Sequence, residues 1–203
     1  KARWVYVVRG GDSGWRMHYQ YLGDRGPFNR EKIWYPNDPE TPAYVVPPVI
    51  NFADGPSGLT YYPGTGLSEA CRGSFLLCDF RGGVGESGIR TLKVRPKGAG
   101  FEAYDQRQLI WNVLATDCDF GPDGALYITD WVEGWYGVGK GRIYKVFDPT
   151  LSTSPEVLQV KKLLAEGMAD RTNEALSELL GHADRRIRQE AQFALVARGG
   201  LEE

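Results

Sequence analysis

The stretch Asp119-Phe-Gly-Pro-Asp-Gly-Ala-Leu-Tyr-Ile has an earlier counterpart in Asp54-Gly-Pro-Ser-Gly-Leu-Thr-Tyr-Tyr, and the two Gly-Pro-x-Gly turns lie 66 residues apart. In each, proline presets the first turn angle and glycine supplies a positive φ, so the chain reverses into a short apolar and aromatic strand. Recurrence of such a unit is the signature of sheets repeated around an axis. Blades of that kind need about 40–50 residues each, so the β part of the chain holds about three, with the interval lengthened by insertion. Candidate strands outward from these turns are Trp4–Arg9, Trp15–Tyr21, Leu59–Tyr62, Ser74–Phe80, Ile89–Val94, Glu102–Ile110, Ala115–Phe120, Leu126–Asp130 and Arg142–Phe147. No helical pattern separates them, which favours an all-β architecture over a βαβ one. Propellers close with about four to eight blades, and three alone leave two open edges. With a strand-like start at Arg3–Arg9, this predicts a partial propeller cut from a longer chain.

Composition changes near residue 150. Before it lie nearly all the Gly, Trp and Tyr residues; after it the sequence is rich in Leu, Ala, Glu and Arg. Asp148–Pro155, a Ser/Thr-rich stretch flanked by prolines, reads as a linker. Beyond it, Val157, Leu158, Val160, Leu163 and Leu164 recur at helical spacing, as do Leu176, Leu179 and Leu180, and then Ile187, Ala191, Ala194 and Leu195. Gly181–Asp184 forms the turn between the last two segments, and Asp184 is placed to cap the final helix. The expected fold class is therefore mainly β: blades of a β-propeller over residues 1–150, then a linker and the start of helical repeats over 151–203. Such a hairpin needs stacked neighbours to bury both its faces.

Several function classes are disfavoured. The 203-residue chain carries a net charge of −2 with no Lys/Arg run longer than two, unlike a nucleic-acid binder that neutralises phosphates with a basic stripe. No stretch approaches the roughly 18 apolar residues of a membrane span. Cys71, Cys78 and Cys118 form no C-x-x-C pair, and the two histidines, His18 and His182, are far apart, so neither a zinc ribbon nor a haem attachment is expected here. Three cysteines leave at least one thiol unpaired if any disulfide forms.

The tail resembles a HEAT repeat, with Leu179-Leu180-x-His182-x-Asp184-x-x-Ile187-Arg188 followed by Ala191-x-x-Ala194-Leu195. The β part resembles the quinoprotein sugar dehydrogenases, glucose and sorbosone dehydrogenase-like propellers that use pyrroloquinoline quinone. More narrowly, it is similar to the membrane-bound dehydrogenase family inferred in planctomycetes and verrucomicrobia, in which propeller, HEAT repeats and a c-type cytochrome domain follow one another. The stretches that carry this are Gly10-Gly-Asp-Ser-Gly-Trp-Arg-Met-His-Tyr-Gln, Gly55-Pro-Ser-Gly-Leu-Thr-Tyr-Tyr-Pro-Gly-Thr-Gly-Leu, Phe75-Leu-Leu-Cys-Asp-Phe-Arg-Gly-Gly, Ala115 to Trp131, and Gly139-Lys-Gly-Arg-Ile-Tyr-Lys-Val. The resemblance implies oxidation of a sugar or alcohol, with the quinone and Ca²⁺ as cofactors of the full-length protein. Electrons would pass to a haem domain outside this chain, in the periplasm or at the cell surface. It also implies further blades, further HEAT repeats and a catalytic base outside this chain; His18 does not match that base, and the segment alone is expected to be inactive. Two alternatives are a non-catalytic binding module for a protein or polysaccharide, and a metal-dependent lactonase-like propeller.

Individual residues sharpen these readings. The resemblance places Arg81, before Gly82-Gly83, where a basic residue reaches the quinone's acidic groups, a role suited to a guanidinium fork; the competing reading pairs it with Asp79. Where quinone-binding relatives carry two arginines, this chain has Leu114 and Thr116, followed by Asp117, which would repel a tricarboxylate. Asp117, Asp119 and Asp130, with Glu133 nearby, are the best set for a hard cation such as Ca²⁺, since positions 117 and 119 share a strand face; otherwise they bond turn amides. Trp131, Trp135, Tyr136 and Lys140, in a Gly-rich loop, make either a sugar-binding surface or a seal against the helical array.

Overall fold

The computed structural model describes residues 2–13 and 46–199. The expected strand at Trp15–Tyr21, and His18 with it, lie outside the described residues. Two compact units divide the chain: residues 1–54 with Val94–Tyr104, and Gly55–Lys93 with Asp105–Glu203.

In the first unit, β1 (Arg3–Trp4) pairs antiparallel with β2 (Ile50–Asn51). Trp4 packs edge-on to Phe52 at 6.5 Å between ring centroids. The strand expected over Trp4–Arg9 is laddered only at its start, because the chain turns back at Gly11, whose N–H donates to the carbonyl of Val8. The β2 strand has no two-residue alternation long enough to be seen in the sequence.

The second unit contains two antiparallel meanders. One has the order β3 (Pro56–Tyr61), β4 (Ser74–Asp79), β5 (Gly88–Lys97) and β6 (Gly100–Trp111). The hairpin of β5 and β6 has its base in this unit and its tip in the other. The second meander has the order β7 (Ala115–Phe120), β8 (Leu126–Asp130) and β9 (Arg142–Val146). Their inward faces meet in one core of Leu76, Cys78, Ile89, Cys118, Leu126 and Ile128, closed by Tyr62 against Phe120 at 5.5 Å. The first strands, β3 and β7, run side by side in the same direction. The Ser57 hydroxyl donates to the carbonyl of Ala115, and the Thr60 hydroxyl to Asp119 Oδ1 at 2.9 Å. Sheets of three or four strands, packed face to face with their first strands abreast, are arranged as propeller blades. The fold is thus mainly β, a partial propeller followed by a helical hairpin.

The blades repeat in a way the sequence reading placed differently. Gly55-Pro-Ser-Gly leads into the first strand of one blade, whereas Gly121-Pro-Asp-Gly is the turn between the first and second strands of the next. The equivalent positions are instead the ends of β4 and β8. Asp79 accepts from the N–H of Gly55 at 2.9 Å, and Asp130 from the N–H of Leu114 at 3.1 Å; each is the residue just before a first strand. The aromatic after each Asp, Phe80 or Trp131, donates its N–H to the carbonyl of that same residue. Each third strand then supplies an arginine: Arg90 Nε stands 2.7 Å from Asp79 Oδ2, and Arg142 Nη1 3.8 Å from Asp130 Oδ2. The Gly-Pro similarity is a shared turn chemistry, while the blade repeat is an Asp-aromatic pair at the close of the second strand.

Three helices follow: α1 (Pro155–Glu166), α2 (Asn173–Leu179) and α3 (Arg185–Ala197). Each starts on a side-chain cap, from Ser154 to the N–H of Val157, from Thr172 to Ala175 and from Asp184 to Arg186. Their common core is Val160, Leu163, Met168, Leu176, Ile187 and Ala191; Met168 joins it from outside the expected stripes, whereas Leu158 and Leu180, expected in them, are exposed. No helix among the described residues is long and apolar enough to cross a membrane.

The helices sit against the blade turns at the end opposite Asp79 and Asp130. The N–H of Arg185 donates to the carbonyl of Pro63, in the β3–β4 loop. Thr65 donates to fully buried Asp184, at 2.5 Å. Arg186 grips both oxygens of Asp184 and extends Nη1 to the carbonyls of Phe120 and Gly121, at 3.1 and 2.6 Å, in the β7–β8 turn. Gly66, with φ of 104°, and Gly124 meet backbone to backbone: a Cβ on Gly66 would fall 2.2 Å from the Gly124 carbonyl oxygen. A side chain at position 66 would wedge the loop and the turn apart.

Candidate recognition surface at one end of the blades

The end of the blades away from the helices is built by the residues that follow the two Asp positions. Phe80 is nearly buried and receives two tryptophans, Trp131 at 5.7 Å and Trp135 edge-on at 5.1 Å, with 6.3 Å between the indoles. The outer rings face solvent: Trp131 is 43% exposed, Trp135 73% and Tyr136 90%. A turn with Val132 at φ 73° aims them, pinned by the Val132 N–H on Asp130 Oδ1. Positive φ is a true outlier for a β-branched residue, and backbone strain of this kind persists where surrounding contacts over-determine it. Tyr136 ends a single 3₁₀ turn, Gly134–Tyr136, and Lys140 is exposed further along the same loop. Of the four residues named for a surface, Trp131 and Trp135 lie against each other at a tilt of 55°, with Tyr136 and Lys140 exposed in the same loop.

Beneath this surface lies Asp79, with no exposure, bound by both Arg81 and Arg90. Arg81 spends Nε and Nη2 on Asp79 Oδ2 at 3.1 and 2.9 Å, and its backbone N–H on Ser87. Arg90 also lies 4.8 Å from the centroid of the Trp111 ring, a cation–π contact. The competing reading of Arg81, pairing with Asp79, is the arrangement seen. The Arg90 partnership escaped the sequence reading because it depends on strand register, Leu77 opposite Arg90 and Asp79 opposite Gly88.

The acidic set is not brought together. Asp117 and Asp119 share the outer face of β7, as their alternation predicts, but Asp130 is buried on the other face of the sheet, opposite Ala115. Asp117 accepts from the N–H of Cys118, Asp119 from the N–H of Phe120 and from Thr60, and Asp130 from two amides. Among the described residues, no three His, Cys, Asp or Glu side chains form a group that could hold a metal ion. The expected Ca²⁺ set is thus replaced by turn and strand-end bonding, and Glu133 is exposed in the Trp131 loop. Asp117 and Asp119 instead border an open groove of ≈ 400 Å³ with Thr60, Tyr61, Phe75 and Arg185.

The residues of this chain do not fit a tricarboxylate quinone at positions 114 and 116. Leu114 is in the core, 1% exposed, and the Thr116 hydroxyl is bonded to Thr129. Neither carries a positive charge, and exposed Asp117 follows them.

No family model matches the chain, and no curated protein matches it. Among solved structures, a Thermus thermophilus protein, provisionally assigned as an oxidoreductase (glucose dehydrogenase), is similar at 20% identity and a TM-score of 0.38. That likeness covers 55% of this chain and 30% of the other.

Proposed function

We propose that the chain supplies a recognition surface for a sugar or related polyol, carried on blades of a propeller. The observation that supports this is the cluster of Phe80, Trp131 and Trp135, held over a buried ionic network with its outer rings left to solvent. An indole face accepts the C–H side of a sugar ring, while the ring's hydroxyls keep water or bond to nearby polar groups. Glu133 and Lys140 stand in the same loop for that purpose. Aromatic side chains give large contact area for little lost conformational freedom, which suits a preformed site.

In a parent protein of the quinoprotein dehydrogenase type, this surface would form one wall of a substrate site. A sugar or alcohol would be oxidised there, with electrons leaving for a c-type haem domain beyond this chain. Quinone, Ca²⁺ and catalytic base would then be held by other blades, since Leu114 and Thr116 offer no cations here. A sugar-facing role accords with periplasmic or cell-surface placement, which fractionation of the native organism would check.

The test is calorimetric titration of the chain with a panel of neutral oligosaccharides, wild type against Trp135→Ala. Since Trp135 is 73% exposed, the substitution is expected to leave the melting temperature within about 1–2 °C, because surface changes are usually small. Loss of one stacked aromatic is expected to weaken binding at least roughly tenfold, on the scale of an interface hot spot. Binding that survives both Trp135→Ala and Trp131→Ala unchanged would exclude this surface.

A further inference from the structure

Cys78 and Cys118 belong to different blades, on β4 and β7, yet both are buried in the single core between them, at 0% and 4% exposure. Their approach is set by Gly58. It lies where the β3–β4 register shifts, between the pairs Pro56–Asp79 and Leu59–Leu77, opposite Cys78. On its other side it touches β7 so closely that a Cβ there would stand 2.5 Å from the Asp117 Cα. Ser57 ties the same spot together, its hydroxyl shared by the carbonyls of Cys78 and Ala115 at 3.5 and 3.2 Å. With no side chain at 58 to hold the strands apart, Cys78 and Cys118 share the one core between the two blades.

We propose that Cys78 and Cys118 form a disulfide joining the two blades when the chain folds under oxidising conditions, leaving Cys71 reduced. The step is thiol–disulfide exchange with a small-molecule disulfide such as oxidised glutathione. One thiolate attacks a glutathione sulfur and expels a glutathione thiolate; the second cysteine then attacks that mixed disulfide and expels the other. The two thiol protons pass to the departing thiolates, two electrons leave the protein, and two molecules of reduced glutathione form. Cys71, on the 3₁₀ turn Glu69–Cys71, lines the same core but precedes the start of β4, whereas Cys78 stands near the end of that strand. Exchange belongs to folding rather than to the finished fold. Once packed, the thiols are shielded, and the hydrogen bond with Cys78, together with burial, pushes the Cys118 thiol up from its ordinary value, so little attacking thiolate exists.

The decisive experiment refolds the chain from denaturant in a glutathione redox buffer and, in parallel, in dithiothreitol, then alkylates and maps each product by mass. A linked peptide pair containing Cys78 and Cys118, with Cys71 alkylated, is expected only from the glutathione sample. Its melting temperature should exceed that of the dithiol form by roughly 5–15 °C, the scale for closing a loop of this length in a domain of this size. Cys71→Ala should leave both results unchanged, and Cys118→Ala should abolish the linked pair and the difference in melting. A natively folded chain with all three thiols alkylated after oxidative refolding, a link that includes Cys71, or folding in dithiothreitol alone would each overturn the assignment.

Discussion

Replacing Asp79 with asparagine removes the charge that two guanidinium groups and one backbone amide share at a site with no exposure. Breaking a buried ionic cluster by deleting one partner costs about 3–5 kcal/mol, and urea unfolding should show that loss. The same substitution at Asp130 is expected to cost less, about 1–2 kcal/mol. Its arginine stands 3.8 Å away and is more than half exposed, so the loss lies mostly in two amide hydrogen bonds. Equal losses at both sites would mean the arginines contribute nothing to the difference. The sequence made one half of this legible: Asp79 and Arg81 are two apart at a strand end, so their pairing was readable. Arg90 and Arg142 were not, because which residue of the third strand faces the Asp depends on register, and register follows from the packed sheet rather than from any local pattern.

At the scale of elements, the contact between helices and blade turns rests on Thr65, Asp184 and Arg186. Burial pushes the Asp184 carboxyl up, but bonds from Arg186 and Thr65 more than offset this and hold it below the ordinary carboxylate value. A carboxyl depressed on folding contributes its full stability above its unfolded value, about pH 3.9. That contribution is lost as pH falls from there through the lower folded value. The wild-type chain should therefore lose stability below about pH 4, more steeply than Asp184→Asn, which is weaker at neutral pH but lacks this acid limb; parallel curves would contradict the assignment. The cap itself was visible in sequence, since an Asp before Arg-Arg-Ile-Arg at helical spacing is a strong start signal. Its second duty, to Thr65 and through Arg186 to the carbonyls of Phe120 and Gly121, was not, as those partners lie 119 and about 65 residues away in the chain. The strands Ala115–Phe120 and Leu126–Asp130 were legible to the residue because alternation and turn chemistry agreed there. Assigning the two Gly-Pro turns to one blade position misled, since turn residues report a local reversal and not its place in a sheet.

For the molecule as a whole, the described helices and both meanders, except the tip of the β5–β6 hairpin, fall in one compact unit, joined where Val157 packs on Gly124 and Arg185 bonds to Pro63. They are expected to unfold together, with near-ultraviolet signals from the Trp131–Trp135 pair and far-ultraviolet helix signals melting at the same temperature. A chain ending at residue 150 should melt lower, because it uncovers the turns that Arg186 and Val157 cover; an unchanged melting temperature would show the helices to be passengers. The three-helix tail was visible in outline from its apolar stripes, but its union with the blades was not, because Gly64, Thr65 and Gly66 read as an ordinary loop until Asp184 is seen against them.

The position of Arg186 also bears on mechanical load. A tension applied through the end of α3 reaches the blades at two turns at once, the Asp184 carboxylate holding Thr65 and the Arg186 guanidinium holding the carbonyls of Phe120 and Gly121. Bonds loaded side by side share the pull and must fail together, whereas a hairpin hung from one strand would unzip a bond at a time. The joint is therefore expected to yield to a pull on α3 only when both contacts break together.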